Sequence, residues 1–172
     1  MPRLLVAPLS GLGDALEGHR PSHLVTLLSP QYMISTPSGF DSSRHLRLAV
    51  EDVGNPEAAE HPPRREHVDR LIAFARDWDA SAPLLIHCWA GVSRSMAAAF
   101  AVLCDRLGLG HEMEIALAMR RRAPHANPNT LLVRHADDAL GRGGRMVTGL
   151  NVMGQPLIVA EGTLTAFPLV NL

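Results

Sequence analysis

Short apolar runs separated by polar, Gly-rich or Pro-rich stretches divide the chain into alternating strands and helices. Runs of this length bounded by turn residues are typical of buried strands. The predicted strands are residues 4–9, 23–28, 45–50 and 83–86. Between and after them, apolar positions recur at helical spacing, which predicts helices. These helices are residues 14–18, a helix opened by Pro62 and Pro63, then 95–107, 111–122 and a helix that follows Asn127 and Pro128 and ends at Gly141.

Strands interleaved with helices predict an α/β fold, with a central, mainly parallel sheet of four to five strands in a three-layer arrangement. A chain of 172 residues is large enough to bury one core, so we expect a single domain over residues 1–172. After Gly143 and Gly144 the pattern changes, and residues 157–160 and 164–170 are apolar and β-like. We therefore expect a core over 1–150 and an apolar C-terminal extension, 151–172, packed on it.

Composition narrows the functional classes. A hydrophobic content of 47%, a charged content of 19% and a formal net charge of −1 are those of a globular protein, with no electrostatic case for nucleic acid or an acidic membrane. All sixteen basic residues are Arg, which is typical of a genome of high G+C content and excludes lysine chemistry. The first apolar run is too short for a signal peptide or a membrane span. Cys88 and Cys104 are expected to be free thiols, so we expect a cytoplasmic protein.

The most informative stretch joins the strand at 83–86 to the helix at 95–107. The connection between them contains the seven residues from Cys88 to Arg94. A strand that turns directly into a helix points backbone N–H groups into the turn, and the helix dipole adds positive charge there. We therefore expect an anion site in which a Cys88 thiolate is stabilised and the planar fork of Arg94 binds phosphate.

The string from His87 to Ser95, HCWAGVSRS, resembles the signature loop of the cysteine-dependent protein tyrosine phosphatases. Residues 120–132, RRRAPHANPNTLL, are similar to a stretch of the small dual-specificity phosphatases, and the resemblance covers about residues 23–140. We otherwise interpret Arg120, Arg121 and Arg122 as a solvated helix end, with steering of phosphorylated substrates as the alternative. The resemblance implies a dual-specificity-phosphatase-like fold, here of a bacterial type.

The same resemblance implies roles for the residues of the loop. Cys88 would be the nucleophile and Arg94 the phosphate clamp. The phosphate-binding residues would be Trp89, Ala90, Gly91, Val92, Ser93 and Arg94. Ser95 would cap the helix, hydrogen-bond the Cys88 sulfur, or do both with its one hydroxyl. His87 and Asn129 would support the site, and Asn127 is predicted to cap the helix that follows it.

Asp52 is the predicted general acid, because a leaving oxygen must be protonated as the P–O bond breaks. Asp52 follows the third strand, so it would lie on the same edge of the sheet as Cys88. The sequence has no Trp-Pro-Asp acid loop like that of the larger tyrosine phosphatases. Glu51 and Asp41 are therefore alternatives for this role.

The resemblance predicts hydrolysis of phosphomonoesters through a cysteinyl-phosphate intermediate, without metal or other cofactor. The nine His residues show no convincing metal-ligand spacing. The substrate would be a phosphorylated protein or a small phosphomonoester, and the sequence leaves the oligomeric state open. Alternatives are a phosphoinositide phosphatase, whose loop tends to carry Lys or Arg between the Cys and the last Arg, a rhodanese-like sulfurtransferase, and a non-catalytic phosphoprotein-binding module. The intervening residues here are uncharged.

Overall fold

The computed structural model describes residues 3–169, which are organised around a five-stranded sheet. The strands are β1 (Arg3–Pro8), β2 (His23–Leu28), β3 (His45–Ala49), β4 (Leu84–Cys88) and β5 (Thr165–Pro168). They lie in the order β3-β2-β4-β1-β5. The first four run parallel, and β5 pairs antiparallel with the edge of β1. The expected mainly parallel α/β sheet is confirmed.

Helices cover both faces of the sheet and make it the middle of three layers. They are α1 (Leu12–His19), α2 (Arg65–Asp77), α3 (Arg94–Leu107), α4 (Glu112–Arg122), α5 (Thr130–Ala139) and α6 (Arg145–Met153). Helix α1 packs on one face in a small apolar cluster, and α2 to α6 pack on the other in a large one. No helix within residues 3–169 is long and apolar enough to cross a membrane.

The strands of the sheet's centre are apolar on both faces because both faces are covered. In β1, Leu4 and Val6 belong to the large cluster, whereas Leu5 and Ala7 belong to the small one beneath α1. Strand β4 is buried at every position. The continuous apolar runs that predicted strands therefore follow from a three-layer arrangement.

Helix α6 was not predicted, and its start depends on a contact from the preceding helix. The Asp137 carboxylate accepts hydrogen bonds from the N–H groups of Gly144 (2.6 Å) and Met146 (2.8 Å). A carboxylate at a helix N-terminus satisfies donors that lack a partner within the helix. Gly149 lowers the helical propensity of this stretch but lets α6 approach Phe100, which a Cβ there would meet at 3.2 Å.

The C-terminal part of the chain returns to the sheet. Residues 157–160, expected to be β-like, are irregular, and β5 occupies only part of the expected 164–170 run, whose last residue lies outside the described residues. Arg120, interpreted from the sequence as part of a solvated helix end, instead makes hydrogen bonds to the end of α6. Its guanidinium donates to the carbonyl groups of Met153 (3.1 Å) and Gly154 (3.2 Å), which fixes the point where the chain leaves α6.

Parallel strands end at a common edge, and this edge carries the candidate residues. The carboxyl ends of β2, β3 and β4 lie side by side because the three strands are adjacent and parallel. Cys88 is the last residue of β4, and Asp52 follows β3. The fold thus brings the two predicted catalytic residues to one edge of the sheet, as the order of elements predicted.

Candidate active site

The loop between β4 and α3 places a thiol beneath the first turn of a helix. Strand β4 ends at Cys88 and α3 begins at Arg94. Because Cys88 belongs to the large apolar cluster beneath the helices, the residue is only 2% exposed. The N-terminus of α3 supplies N–H groups without helical partners and partial positive charge. This environment favours the binding of an anion.

Four hydrogen bonds from three separate segments hold the carbonyl groups of this loop. They run from Leu9 N to Trp89 O (3.0 Å), from Gly162 N to Ala90 O (2.8 Å), from Asn127 N to Val92 O (2.9 Å) and from Asn129 N to Ser93 O (3.2 Å). In a trans peptide the C=O and N–H groups point in opposite directions. Each of these bonds therefore turns the next N–H toward the inner side of the loop, where several aligned N–H groups bind an anion.

Gly91 lets the loop lie directly on the end of β1. Its φ is +68°, and a Cβ at this position would lie 2.7 Å from the nitrogen of Pro8 and 2.9 Å from the carbonyl carbon of Ala7. This conformation is unfavourable for a residue with a side chain, and the space excludes a Cβ. The lack of a side chain at Gly91 therefore allows the loop to pack directly on the end of β1.

Ser95 contacts the thiol and does not cap α3. Its hydroxyl oxygen lies 3.1 Å from the Cys88 sulfur, and both groups are buried. Ser93 is the N-cap residue, and its side chain makes no capping hydrogen bond. The capping interpretation of Ser95 is therefore wrong, whereas its contact with the sulfur matches the alternative. If the sulfur is a thiolate, the hydroxyl donates to it.

Arg94 is anchored at one end of its guanidinium group. Its Nη1 donates to the carbonyl of Val50 (2.9 Å) and lies 3.4 Å from the hydroxyl oxygen of Ser29. The Nε–H is buried and has no partner among the described residues. The guanidinium lines the same cavity as Cys88. An unsatisfied buried donor is costly, and the oxygens of a bound anion would satisfy it.

The carboxylate of Asp52 reaches the loop from the end of β3. Its Oδ1 accepts hydrogen bonds from the Ser93 hydroxyl (2.7 Å) and from Nδ2 of Asn129 (2.8 Å). Asp52 and Cys88 both line the cavity. The fold thus brings the carboxyl group of Asp52 into the same cavity as the Cys88 thiol.

The two alternatives to Asp52 are engaged elsewhere. Glu51 accepts a hydrogen bond from the N–H of His61 on its Oε2 (2.8 Å), which closes the loop after β3. Asp41 accepts from the N–H (2.9 Å) and the hydroxyl (2.7 Å) of Ser43 in an exposed turn, and these bonds lower the pKa of its carboxyl. Neither residue lines the cavity.

Asn129, and not Asn127, caps the helix after the loop. Its Oδ1 accepts from the N–H of Leu132 (2.9 Å), and α5 accordingly begins at Thr130. The prediction for Asn127 is wrong because its backbone N–H is bound to the loop carbonyl of Val92 and the chain does not yet turn into a helix. Asn129 also donates to Asp52 and to the carbonyl of Val53 (3.0 Å), so one side chain joins a helix start to the predicted acid.

His87 supports the loop from within the sheet. Its Nε2 lies 2.7 Å from the Thr26 hydroxyl, which lies 2.8 Å from Nε2 of His45, and Nδ1 of His45 lies 3.0 Å from the Thr36 hydroxyl. Burial, the main cause, lowers the pKa of both histidines to about 4. Both rings are therefore neutral at pH 7, and the Thr26 hydroxyl donates to one and accepts from the other.

An open cavity of about 530 Å³ lies above the thiol. Its walls include Trp89, Ala90, Val92, Ser93 and Arg94, all predicted to bind phosphate. Trp89 is 51% exposed at the rim, where its ring packs against that of Tyr32 with centroids 5.1 Å apart. Within residues 3–169, no three His, Cys, Asp or Glu side chains are arranged to hold a metal ion.

Two residues of the cavity come from a part of the chain that the sequence did not connect with the site. Val159 and Ala160 form a wall from the segment between α6 and β5. The segment is irregular, so it has no periodicity that would place it. Gly162 is the residue of this segment that could have indicated a close approach to the loop, but a glycine there is equally typical of a turn.

Comparison with known proteins gives a consistent family assignment. No family model matches the chain. Dual specificity protein phosphatase 15 of Rattus norvegicus is 30% identical over 118 residues, 67% of this chain and 44% of the relative. The same protein of Mus musculus is 29% identical over 118 residues, 67% of this chain and 45% of the relative. The chain thus spans less than half the length of the curated relatives it matches.

Solved structures share the fold at lower sequence identity. The crystal structure of DUSP15 has a TM-score of 0.62 at 19% identity and covers 89% of each chain. Human tyrosine phosphatase-like serine/threonine/tyrosine-interacting protein has a TM-score of 0.63 at 20% identity, over 81% of this chain and 91% of that one. These likenesses show that the chain shares the fold of these structures. The chain belongs to the cysteine-dependent protein tyrosine phosphatase superfamily and resembles its dual-specificity members.

Proposed function

We propose that this protein is a dual-specificity-like phosphatase that hydrolyses phosphomonoesters through a cysteinyl-phosphate intermediate. The buried Nε–H of Arg94, which has no partner among the described residues, carries the proposal together with the Cys88 thiol, because Arg94 and Cys88 line the same cavity. A planar fork with a free N–H next to a nucleophile matches two oxygens of a tetrahedral phosphoryl group. The oriented N–H groups of the loop add further donors to the same anion.

The reaction has two displacements at phosphorus. In the first, the Cys88 thiolate forms a P–S bond while the P–O bond to the leaving group breaks, and Asp52 gives its proton to the leaving oxygen. In the second, Asp52 takes a proton from water as the water oxygen attacks phosphorus and the P–S bond breaks. The Ser95 hydroxyl, 3.1 Å from the sulfur, donates to the departing thiolate. Arg94 holds the phosphoryl oxygens in both steps.

The proposed substrate is a phosphorylated protein, with a small phosphomonoester as the simpler case. Arg94 is the one cationic side chain among the cavity-lining residues, so the site supplies one clamp for one phosphate. This observation favours a monophosphate over a phosphoinositide with several phosphates, although a phosphatase fold with bound PI(5)P is also a structural neighbour of the chain. The exposed rings of Trp89 and Tyr32 offer an apolar rim for the group that carries the phosphate.

The other two alternatives explain less of the site. A binding module has no need of a buried nucleophile, a hydroxyl on its sulfur and a carboxyl group in one cavity. A sulfurtransferase has no need of an acid for a leaving oxygen. Five residues separate Cys88 from Arg94, which is the longer, phosphate-sized version of such a loop.

As part of the same proposal, we place the protein in a bacterial cytoplasm. The absence of Lys among sixteen basic residues is typical of a genome of high G+C content. Both cysteines are free and buried, and the proposed reaction needs Cys88 as a thiolate. A reducing compartment keeps such a thiol active.

The test is hydrolysis of phosphotyrosine and phosphoserine peptides, an aryl phosphate and a phosphoinositide panel by the wild type, Cys88→Ser and Arg94→Lys. We expect turnover of the peptides by the wild type, none by Cys88→Ser, and a loss of about a hundredfold or more in Arg94→Lys because Lys lacks the fork. Cys88→Ser should still bind vanadate. Turnover by Cys88→Ser within tenfold of the wild type would refute the proposal, and activity on phosphoinositides alone would favour the alternative substrate.

A further inference from the structure

The segment between α6 and β5, residues 154–164, crosses the outside of the phosphate-binding loop. It has no regular structure and is held by hydrogen bonds from the Leu157 N–H to the Pro124 carbonyl (2.8 Å) and from the Gly162 N–H to the Ala90 carbonyl (2.8 Å). The Ser10 hydroxyl also donates to Oε1 of Glu161 (2.5 Å). Of these three hydrogen bonds, the one from Gly162 to Ala90 is made to the phosphate-binding loop itself.

The peptide between Ala90 and Gly91 is the one in the loop that most needs an outside anchor. A peptide flanked by glycine can rotate with little steric resistance, because glycine adopts both signs of φ. Here Gly91 has a φ of +68°, and an added Cβ would collide with the backbone of Ala7 and Pro8, so no side chain can restrict this peptide. The Gly162 N–H is the only backbone donor to the Ala90 carbonyl among the described residues.

Gly162 can approach the loop only because it lacks a side chain. A Cβ there would lie 2.6 Å from Cδ2 and Nε2 of the His125 ring and 3.0 Å from the Gly91 carbonyl oxygen. Both Gly162 and His125 are buried. The segment is therefore fitted between the His125 ring and the loop, at a distance that places its N–H on the Ala90 carbonyl.

We propose that the Gly162 amide is a positioning group for phosphoryl transfer. By holding the Ala90 carbonyl outside the loop, it keeps the Gly91 N–H on the inner side, where it binds a phosphoryl oxygen of substrate and transition state. The C-terminal segment is then part of the catalytic unit. This inference rests on the proposed function, because it concerns how the same loop binds the phosphoryl group.

The direct test removes only the Gly162 N–H. Glycolic acid incorporated at position 162 by suppression in cell-free translation replaces the amide with an ester, which keeps the backbone shape and lacks the donor. The same change at Gly154 is the control, since that N–H bonds to the Asn151 carbonyl (3.4 Å) away from the loop. We measure the inhibition constant of vanadate, kcat and KM on an aryl phosphate, and Tm.

We expect the ester at 162 to weaken vanadate binding and to lower kcat/KM by about tenfold or more. Without its anchor the Gly91 N–H no longer holds the phosphoryl oxygen, and the loss of one hydrogen bond to a charged group usually has this effect. The ester at 154 should leave both quantities within about twofold of the wild type. A lower Tm at 162 with unchanged vanadate binding would show a merely structural contact and overturn the proposal. So would wild-type values for vanadate binding and kcat/KM at 162.

Ordinary substitutions give a second test. Gly162→Ala should lose activity and vanadate affinity as the ester does, whereas Thr163→Ala, the next residue, should not. In Gly162→Ala with His125→Ala the ring is removed, so the segment can return and part of the affinity should be restored. The proposal would be refuted if the double variant recovered no vanadate affinity and the ester at 162 had wild-type vanadate binding and kcat/KM. A wild type that neither turns over phosphomonoesters nor binds vanadate would instead refute the proposed function.

Discussion

Asp52 receives both of its hydrogen bonds on one oxygen atom. Ser93 and Asn129 donate to Oδ1, and Oδ2 makes no hydrogen bond to any residue between 3 and 169. When Asp52 is protonated, Oδ2 is therefore the oxygen that carries the proton, and the two donors fix its direction. A general acid needs this orientation as well as proximity to the leaving group.

We expect Asp52→Asn to slow hydrolysis according to how much the leaving group needs a proton. An aryl phosphate with an acidic phenol leaves without help, so the rate of phosphorylation of Cys88 should change little. Phenyl phosphate and tyrosyl phosphate should lose about a hundredfold or more, the usual size of general acid catalysis. Single-turnover release of the phenol measures this step directly.

Glu51→Gln and Asp41→Asn are the matched controls, because each replaces a carboxylate that is bound outside the cavity. Neither should show a dependence on the leaving group. An equal loss on all substrates in Asp52→Asn, or a graded loss in Glu51→Gln, would show that the acid is a different residue.

Helix α5 connects its own stability to the site through one side chain. Asn129 caps the helix by accepting from Leu132 and donates to Asp52 with the other end of its amide. Asn129→Ala should lower the free energy of unfolding by about 1 kcal/mol, as the loss of a cap does. It should also lower kcat on tyrosyl phosphate by about tenfold, because Asp52 loses a hydrogen bond.

Asn127→Ala is the control for that substitution, because only the backbone of Asn127 has a bond to the loop. Chemical denaturation and single-turnover kinetics on both variants separate stability from activity. If Asn127→Ala had the larger effect on stability, the helix would begin earlier than Thr130. A tyrosyl phosphate rate unchanged in Asn129→Ala would remove that residue from the support of Asp52.

The sequence predicted elements whose pattern is local and missed those that depend on distant contacts. The strands and the helices over 95–107 and 111–122 follow from apolar runs, and the structure has them within a few residues. Helix α6 was not predicted from the sequence. Its N-terminal N–H groups are satisfied by Asp137 on another helix, and this contact leaves no local capping signal. The start of α5 was placed too early because Asn127 looks like a cap in sequence, whereas the loop holds its backbone.

At the scale of the molecule, a chain of polar groups runs through the sheet beneath the loop. His87, Thr26 and His45 lie on three adjacent strands, and burial lowers the pKa of both histidines from 6.5 to about 4. When the pKa of a histidine is lower in the folded state than in the unfolded state, the unfolded state takes up the proton first as the pH falls. The histidine's contribution to stability is therefore present above pH 6.5 and lost as the pH falls toward 4.

We expect the free energy of unfolding to fall between pH 7.5 and pH 5 by about 2 kcal/mol from His87 alone. His45 acts in the same direction. Urea denaturation at both pH values measures the difference, and His87→Gln, which does not titrate, should show a smaller one. Stability that stays constant or rises on acidification would contradict a neutral, buried His87.

The catalytic loop was predictable because its chemistry lies in nine consecutive residues, His87 to Ser95. Strand, anion-binding turn and helix follow one another there, so sequence order is spatial order. The remaining walls are contributed by residues that are distant in sequence. Asp52 was placed by topology, because parallel strands end at one edge, whereas Val159, Ala160 and Gly162 reach the loop through an irregular segment.

The central claim is that Cys88 forms a covalent phosphoryl enzyme, and trapping it tests the claim most directly. Asp52→Asn, reacted with an aryl phosphate that has an acidic phenol, should accumulate the intermediate because the water lacks its base. Acid quenching in the first turnover and mass spectrometry of peptides should find one phosphoryl group on Cys88, in an amount equal to the burst of phenol. Phenol and phosphate released together with no phosphoryl group on Cys88, or the same label in Cys88→Ser, would contradict the account.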